Sequence, residues 1–303
     1  MAERQDPEQE YVFKNDTLGT GSYEAMQDAQ GTPITIKSPP NAVDIGYGSS
    51  SAVIGDRAYF HPFGFNNVYE FSNNQWHKVP PCPNKLFTIV SVVDMLTAVG
   101  GGSVTQPYGN KLYSFIDNKW IKHFPPMPTR RSTPGAVYAN NTLVVAGGYC
   151  YSENLNVVEI LNTANMQWSI VSSLPVPTNH PSTTICGDYV YIHPLSYDYQ
   201  EKYSVYKCSL RELTQSQWEK ITSLPVTHSS LVTFNGHLLA VGGVDSNGDI
   251  SKDIYQYNET SWIVTSQMST PRSFCATTVL PGNKLMVVGG DGATKKCEIA
   301  TFV

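Results

Sequence analysis

Histidines, glycines and tyrosines are the residues of this chain whose chemistry stands out, and their spacing favours binding over catalysis. None of the seven histidines has the HxH or HxxxH spacing in which imidazoles share a metal ion. The stretch LGTGSY (18–23) lacks the third glycine of a phosphate-cradling loop, and no HRD or DFG motif follows it for phosphoryl transfer. We therefore predict no catalytic residue, no metal and no cofactor.

Aromatic residues concentrate in three short polar segments, FGFNN (63–67), YCYSEN (149–154) and LSYDYQEKY (195–203). Tyrosine is enriched where proteins bind each other, because it combines apolar area with a polar group. An alternative is that some of these rings fold inward and cap the molecule. The candidate anchors for a protein partner are Phe65, Tyr149, Tyr151, Tyr197 and Tyr199.

A repeat of about 46 residues must position these segments. Its markers are a tryptophan and an apolar run that ends in two glycines, as in LVVAGG (143–148) and LMVVGG (285–290). Two runs in the same slot end in His-Pro instead, at His61-Pro62 and His193-Pro194. Six copies of the slot fit the chain. The tryptophans are Trp76, Trp120, Trp168, Trp218 and Trp262.

Each unit predicts four short strands and no helix. The apolar run is continuous, which is typical of a strand buried on both faces. Segments such as LYSF (112–115) and IYQY (254–257) alternate and predict a half-buried third strand. The tryptophan opens the fourth strand. This combination resembles the kelch repeat over residues 32–303, and the resemblance implies an all-β, six-bladed β-propeller with four-stranded blades.

The last repeat is incomplete, and its missing strand is expected at the other end of the chain. No tryptophan strand follows Gly290, whereas PITIKSPPN (33–41) aligns with KWIKHFPPM (119–127). We predict that this N-terminal segment completes the last blade and closes the ring, which would leave no open sheet edge. Residues 1–31, with seven acidic and two basic residues, are predicted to be a flexible leader.

The resemblance also implies a binding surface. Kelch-type propellers meet their ligands at one end of the channel, where the family often places an arginine. Arg131 in PTRRS (128–132) and Arg272 in STPRS (269–273) match that position, and the joining stretches of other blades carry Asn84 and His228. Two guanidiniums at a shared mouth could bind a carboxylate or phosphate bidentately. The alternative is that each arginine packs on a neighbouring loop.

The leading functional hypothesis is a scaffold that presents one loop face to a protein or peptide. Kelch-like proteins often join such a propeller to a BTB domain and act as ubiquitin-ligase substrate receptors, but this chain shows no BTB or BACK region. The alternative hypothesis is a kelch-type enzyme, of the copper oxidase or sugar epimerase class, that acts in the channel. The oligomeric state stays open.

Charge and cysteine usage limit the other classes. The net charge of −5 resides in the leader, and the absence of a basic stripe argues against nucleic acid. No apolar run is long enough to span a membrane. The N-terminus has no apolar stretch typical of a signal peptide, so we expect a cytoplasmic protein whose six cysteines are reduced, mostly packed thiols.

Overall fold

The first strands of the repeats form a closed ring. The computed structural model describes residues 11–12, 35–37, 45–46, 48, 50–103, 106–195, 201–215, 217–291 and 296–301. Within these ranges the secondary structure is β-strand and contains no helix. The strands form six antiparallel blades of four strands each, with one extra strand at the edge of the last blade and a separate two-stranded hairpin. The first strand of each blade contacts the first strand of the next blade, and the first strand of blade 6 contacts that of blade 1. This confirms the predicted six-bladed propeller.

The strands of the first three blades follow the predicted order within each repeat. Blade 3 also carries a two-stranded hairpin, β13–β14, between its second and third strands. The bounds are β3 Ser50–Ile54, β4 Arg57–His61, β5 Val68–Ser72 and β6 Gln75–Val79; β7 Thr88–Val92, β8 Met95–Val99, β9 Leu112–Ile116 and β10 Lys119–Ile121; β11 Gly135–Ala139, β12 Thr142–Ala146, β13 Tyr149–Cys150, β14 Glu153–Asn154, β15 Val158–Asn162 and β16 Gln167–Val171.

The last three blades repeat the pattern. Their bounds are β17 Ser182–Cys186, β18 Tyr189–His193, β19 Tyr206–Ser209 and β20 Glu219–Lys220; β21 Ser230–Phe234, β22 His237–Val241, β23 Asp253–Tyr257 and β24 Trp262–Gln267; β25 Ala276–Leu280, β26 Lys284–Val288 and β27 Cys297–Thr301.

At the outer side of the last blade, β2 (Thr35–Lys37) pairs antiparallel with β27, and β1 (Tyr11–Val12) pairs with β2. The rest of the predicted leader and the remainder of segment 33–41 lie outside the described residues. Ring closure by the whole segment therefore stays a prediction, and the Discussion gives its test.

The hydrophobic core consists of separate clusters, each shared by two neighbouring blades. In blades 4 and 5, for example, Val205 and Leu231 belong to one cluster, and the same holds around the ring. Tryptophans reinforce these seams, since the indole N–H of Trp120 donates to the Pro80 carbonyl at 2.7 Å, and that of Trp168 donates to the Pro125 carbonyl at 3.0 Å. Each blade is therefore stabilised mainly by its neighbours.

Candidate functional site

Alternating strand direction brings two sets of segments to one end of the propeller. The described parts of the loops that follow each second strand lie there, together with the described parts of the stretches that join a fourth strand to the next first strand. We call this end the loop face. All the site residues predicted from the sequence belong to these segments, although Tyr197 and Tyr199 lie outside the described residues.

Six residues with positive φ, one per blade, form an inner ring on the loop face. Backbone hydrogen bonds link neighbouring members: the Thr133 N–H donates to the Leu86 carbonyl at 2.7 Å, and the Phe274 N–H donates to the His228 carbonyl at 2.9 Å. Because the left-handed region is costly for non-glycine residues, these positions are held by the packing of the blades. The members are Gly48, Leu86, Thr133, His180, His228 and Phe274.

Four members of the inner ring, Gly48, His180, His228 and Phe274, line a cavity of about 120 Å³ in the central channel. Serine and threonine side chains from the first strands contribute to its wall, and the histidines His180, His193 and His228 also line it. Several wall hydroxyls tie blades together, as where Ser182 Oγ accepts the Leu231 N–H at 2.7 Å. None of the described lining residues is Lys, Arg, Asp or Glu. The channel is therefore polar but uncharged.

Arg131 does not reach this cavity, which corrects the sequence-based interpretation. Its side chain is fully buried, and Nη1 donates to the carbonyls of Gly147 at 2.8 Å and Val157 at 2.9 Å. Nη2 lies 2.9 Å from Oε2 of Glu159, which is also fully buried and accepts the Thr129 hydroxyl. Burial lowers the pKa of Arg131, and the Glu159 carboxylate opposes that shift. Its guanidinium is occupied inside blade 3 and cannot contact a partner.

Arg272 repeats this arrangement in blade 6. It is fully buried, its Nη2 donates to Oε1 of Glu298 at 2.8 Å, and its Nη1 donates to the carbonyls of Gly289 at 2.7 Å and Lys296 at 2.9 Å. Asn84 takes the corresponding place in blade 2, where its amide donates to the Gly100 carbonyl at 2.8 Å. The three side chains share one structural role. Each holds the end of the second strand of its own blade. Both arginines are therefore buried, as the alternative interpretation required, but inside their own blade and not on a loop of a neighbouring blade.

The exposed group beside Arg131 is its neighbour Arg130. The backbone next to Arg130 is bridged to two aromatic segments, since Arg131 pairs with Gly109 and Ser132 pairs with Tyr149. In these segments the Tyr108 ring packs edge-on against Tyr149 at 5.8 Å and against Tyr151 at 5.4 Å. Tyr151 is 70 % exposed. We call Arg130, Tyr108, Tyr149 and Tyr151 the aromatic patch. Phe65, 58 % exposed, lies on the loop face of blade 1.

The backbone conformation of Tyr151 is energetically unfavourable for a residue other than glycine. Tyr151 and Ser152 form the two-residue turn between β13 and β14, with φ of 46° and 69°. Two successive positive φ values are typical of a type I′ turn, for which Asn-Gly is strongly preferred. A tyrosine held in this conformation is uncommon, and such strain is concentrated at functional sites.

His61 and His193 occupy the slot where other repeats end in a hydrophobic residue before the glycines. His61 Nε2 donates to the Phe65 carbonyl at 3.0 Å, and His193 Nδ1 donates to the Ser204 carbonyl at 2.9 Å, so each imidazole holds the loop that follows it. Burial lowers the pKa of both histidines to about 4. They are neutral at physiological pH. His228, on the inner ring, is half-buried and its pKa is also lowered by burial.

Three further observations concern metal binding, the cysteines and membrane-crossing helices. In the described ranges no three or more His, Cys, Asp or Glu side chains are grouped to hold a metal ion. All six cysteines are free, and only Cys186 is not buried. No helix in the described part of the chain could cross a membrane.

Comparison with known proteins agrees with this architecture. A kelch motif model matches residues 130–175 and 225–269, which cover blades 3 and 5. This chain is a kelch-repeat β-propeller. The solved structure of YjhT has the same fold, with a TM-score of 0.70 at 15 % sequence identity. The superposition covers 87 % of this chain and 97 % of the YjhT chain.

The propeller is also similar to kelch-like proteins from vertebrates. Kelch-like protein 41b of Danio rerio is 26 % identical over 62 % of this chain and 31 % of its own length. Kelch-like protein 23 of Homo sapiens is 32 % identical over 35 % of this chain and 19 % of its own. Kelch-like protein 38 of Rattus norvegicus is 21 % identical over 77 % of this chain and 40 % of its own. The kelch propeller thus spans less than half the length of these relatives.

Proposed function

We propose that this kelch propeller is a protein-binding module that contacts a protein or peptide with the aromatic patch of its loop face. The observation that carries the proposal is Tyr151, whose ring is exposed on a strained turn and supported edge-on by Tyr108. Exposed tyrosine beside arginine is the composition typical of interface hot spots. A turn of this type would be cheaper with Asn or Gly, so its stability does not account for the tyrosine.

The partner's chemistry follows from what is exposed. Arg130 offers one guanidinium at the patch, whereas Arg131 and Arg272 are occupied by Glu159 and Glu298. The face therefore suits a partner that buries an apolar or aromatic side chain against the tyrosines, with a single acidic group near Arg130. It does not suit a multiply charged anion such as nucleic acid, which requires several exposed cations.

The substitution Tyr151→Asn separates binding from folding. Asparagine tolerates positive φ better than tyrosine, so the hairpin should fold at least as well. Loss of a hot-spot tyrosine weakens binding by about 2 kcal/mol or more, close to 30-fold. The matched control is Tyr189→Asn, because Tyr189 is also exposed but lies at the start of β18, at the opposite end of the propeller.

The experiment is affinity capture from native lysate with wild type and both variants as bait, followed by mass spectrometry. Proteins retained by wild type and by Tyr189→Asn but lost with Tyr151→Asn would support the proposal. Equal capture by all three baits would contradict it. The more specific role of a ubiquitin-ligase substrate receptor rests on the kelch-like resemblance alone. Ubiquitin-ligase subunits among the patch-dependent proteins would support it, and their absence would count against it.

A further inference from the structure

The channel cavity contains three buried polar atoms that have no hydrogen-bond partner. They are Nε2 of His193, Nδ1 of His228 and Oγ of Ser229, and all three residues line the cavity. His193 is 2 % exposed and Ser229 is 4 % exposed. A buried polar group without a partner costs about 1–3 kcal/mol, so an unpaired set in one cavity calls for an explanation. We call these three residues the acceptor site.

The protonation state of His193 fixes what its free atom can do. A carbonyl only accepts hydrogen bonds, so the 2.9 Å contact with the Ser204 carbonyl requires that Nδ1 carry the proton. Nε2 is then a lone-pair acceptor. The low pKa of His193, about 4, keeps it in this state at neutral pH. Whatever fills the cavity at this point must donate a hydrogen bond.

The rest of the cavity limits the ligand further. None of the described residues that line the cavity is Lys, Arg, Asp or Glu, so the described wall offers no direct counter-charge to an anion or a cation. Ser229 Oγ both donates and accepts, and His228 Nδ1 does one or the other according to its tautomer. A hydroxyl group, which also does both, can satisfy each atom. A free volume of about 120 Å³ is smaller than the pockets of drug-sized ligands and suits a compound of glycerol size.

We propose that the acceptor site of His193, His228 and Ser229 binds a small, uncharged compound with several hydroxyl groups at the mouth of the channel. This site is distinct from the aromatic patch, and the proposal does not depend on protein binding. The hydroxyl group nearest His193 donates to Nε2, and the others exchange hydrogen bonds with Ser229 and with the channel wall.

Glycerol is the probe for the test, and the readout is the Nε2 resonance of His193 in ¹⁵N-histidine-labelled protein, assigned with His193→Gln. We expect a saturable change in this resonance with a dissociation constant of about a millimolar, since the probe is small. The matched probe is 1,2-dimethoxyethane, which has as many non-hydrogen atoms but no hydroxyl donor. It should leave the resonance unchanged.

Two serine variants locate the site without touching His193. Ser229→Ala removes an unpartnered hydroxyl and should weaken glycerol binding about fivefold. Ser230→Ala removes a hydroxyl of the same cavity that is already bonded to Thr277 at 2.7 Å, so it should leave the affinity unchanged. The proposal is overturned if glycerol gives no saturable change, if dimethoxyethane gives the same change, or if both serine variants bind equally well.

Discussion

Val226 occupies in blade 5 the position that Arg131 occupies in blade 3. The substitution Arg131→Val therefore tests the structural role assigned to the buried arginines. The change leaves the Glu159 carboxylate fully buried with only the Thr129 hydroxyl beside it. It also removes the donor from the carbonyls of Gly147 and Val157. Removing one partner of a buried ion pair costs about 3–5 kcal/mol, because the remaining charge is uncompensated. We expect a loss of that size in the free energy of unfolding.

The protein itself suggests the compensating change. In every blade, one residue of the third strand pairs with the second-to-last residue of the second strand. This residue is tyrosine in four blades and glutamate in the two blades that contain a buried arginine. Glu159→Tyr in the Arg131→Val background therefore reproduces the pattern of blade 5. It should recover about half of the loss, leaving the cost of the unpaired carbonyls, about 1–3 kcal/mol. These positions are Tyr69, Tyr113, Glu159, Tyr206, Tyr255 and Glu298.

Equilibrium urea unfolding followed by tryptophan fluorescence measures these differences, provided that the variants share one denaturant slope. The control Arg130→Val changes an exposed neighbour and should stay within about 0.5 kcal/mol of wild type. A loss below about 1 kcal/mol for Arg131→Val would refute the reasoning, since a buried carboxylate cannot lose its cation so cheaply. A double variant no more stable than the single one would refute it as well.

Three further predictions follow from the same structure. In the folded protein the pKa of His61 and His193 is about 4, against 6.5 for a free histidine, so between these pH values the unfolded state binds more protons. Urea unfolding measured as a function of pH should therefore show full stability above pH 6.5. On acidification to pH 4, the free energy of unfolding should fall by up to about 3 kcal/mol per histidine. Deleting residues 1–41 removes β2 and exposes the edge of β27, so it should lower the melting temperature and promote aggregation in size-exclusion chromatography. Deleting the leader alone removes only the two-residue strand β1 and should have a smaller effect on both. Gly242→Ala would place Cβ 2.2 Å from a backbone carbonyl oxygen and should destabilise more, in thermal unfolding, than Gly236→Ala, which has positive φ but open space.

The fold was predictable because its markers recur at a fixed spacing. The tryptophan recurs in five repeats and the glycine pair in four, and their common spacing supports one register for all six repeats. All six second strands end directly before the glycine or proline of their slot, as at Val99 and His193. The bounds of the strands follow from the same alternation of apolar and polar residues.

The site was only partly predictable, for two physical reasons. Arg131 is buried because it pairs with Glu159, and the pairing of β12 with β15 brings the two residues together. One signal was present in the sequence, because arginine and glutamate occur together at these positions in the same two blades. Tyr108 was missed because its contact with Tyr151 joins the loops of different blades. The left-handed backbone of Tyr151 likewise leaves no mark on the local sequence.

The most direct test of the aromatic patch is photo-crosslinking from single sites in lysate. A benzophenone amino acid placed at position 151 should crosslink to a partner protein in a defined band, which excess unlabelled wild-type propeller removes. The same amino acid at position 189, on the opposite end, should give no such band at equal incorporation. Crosslinking from position 189 but not from position 151 would contradict the proposed binding face.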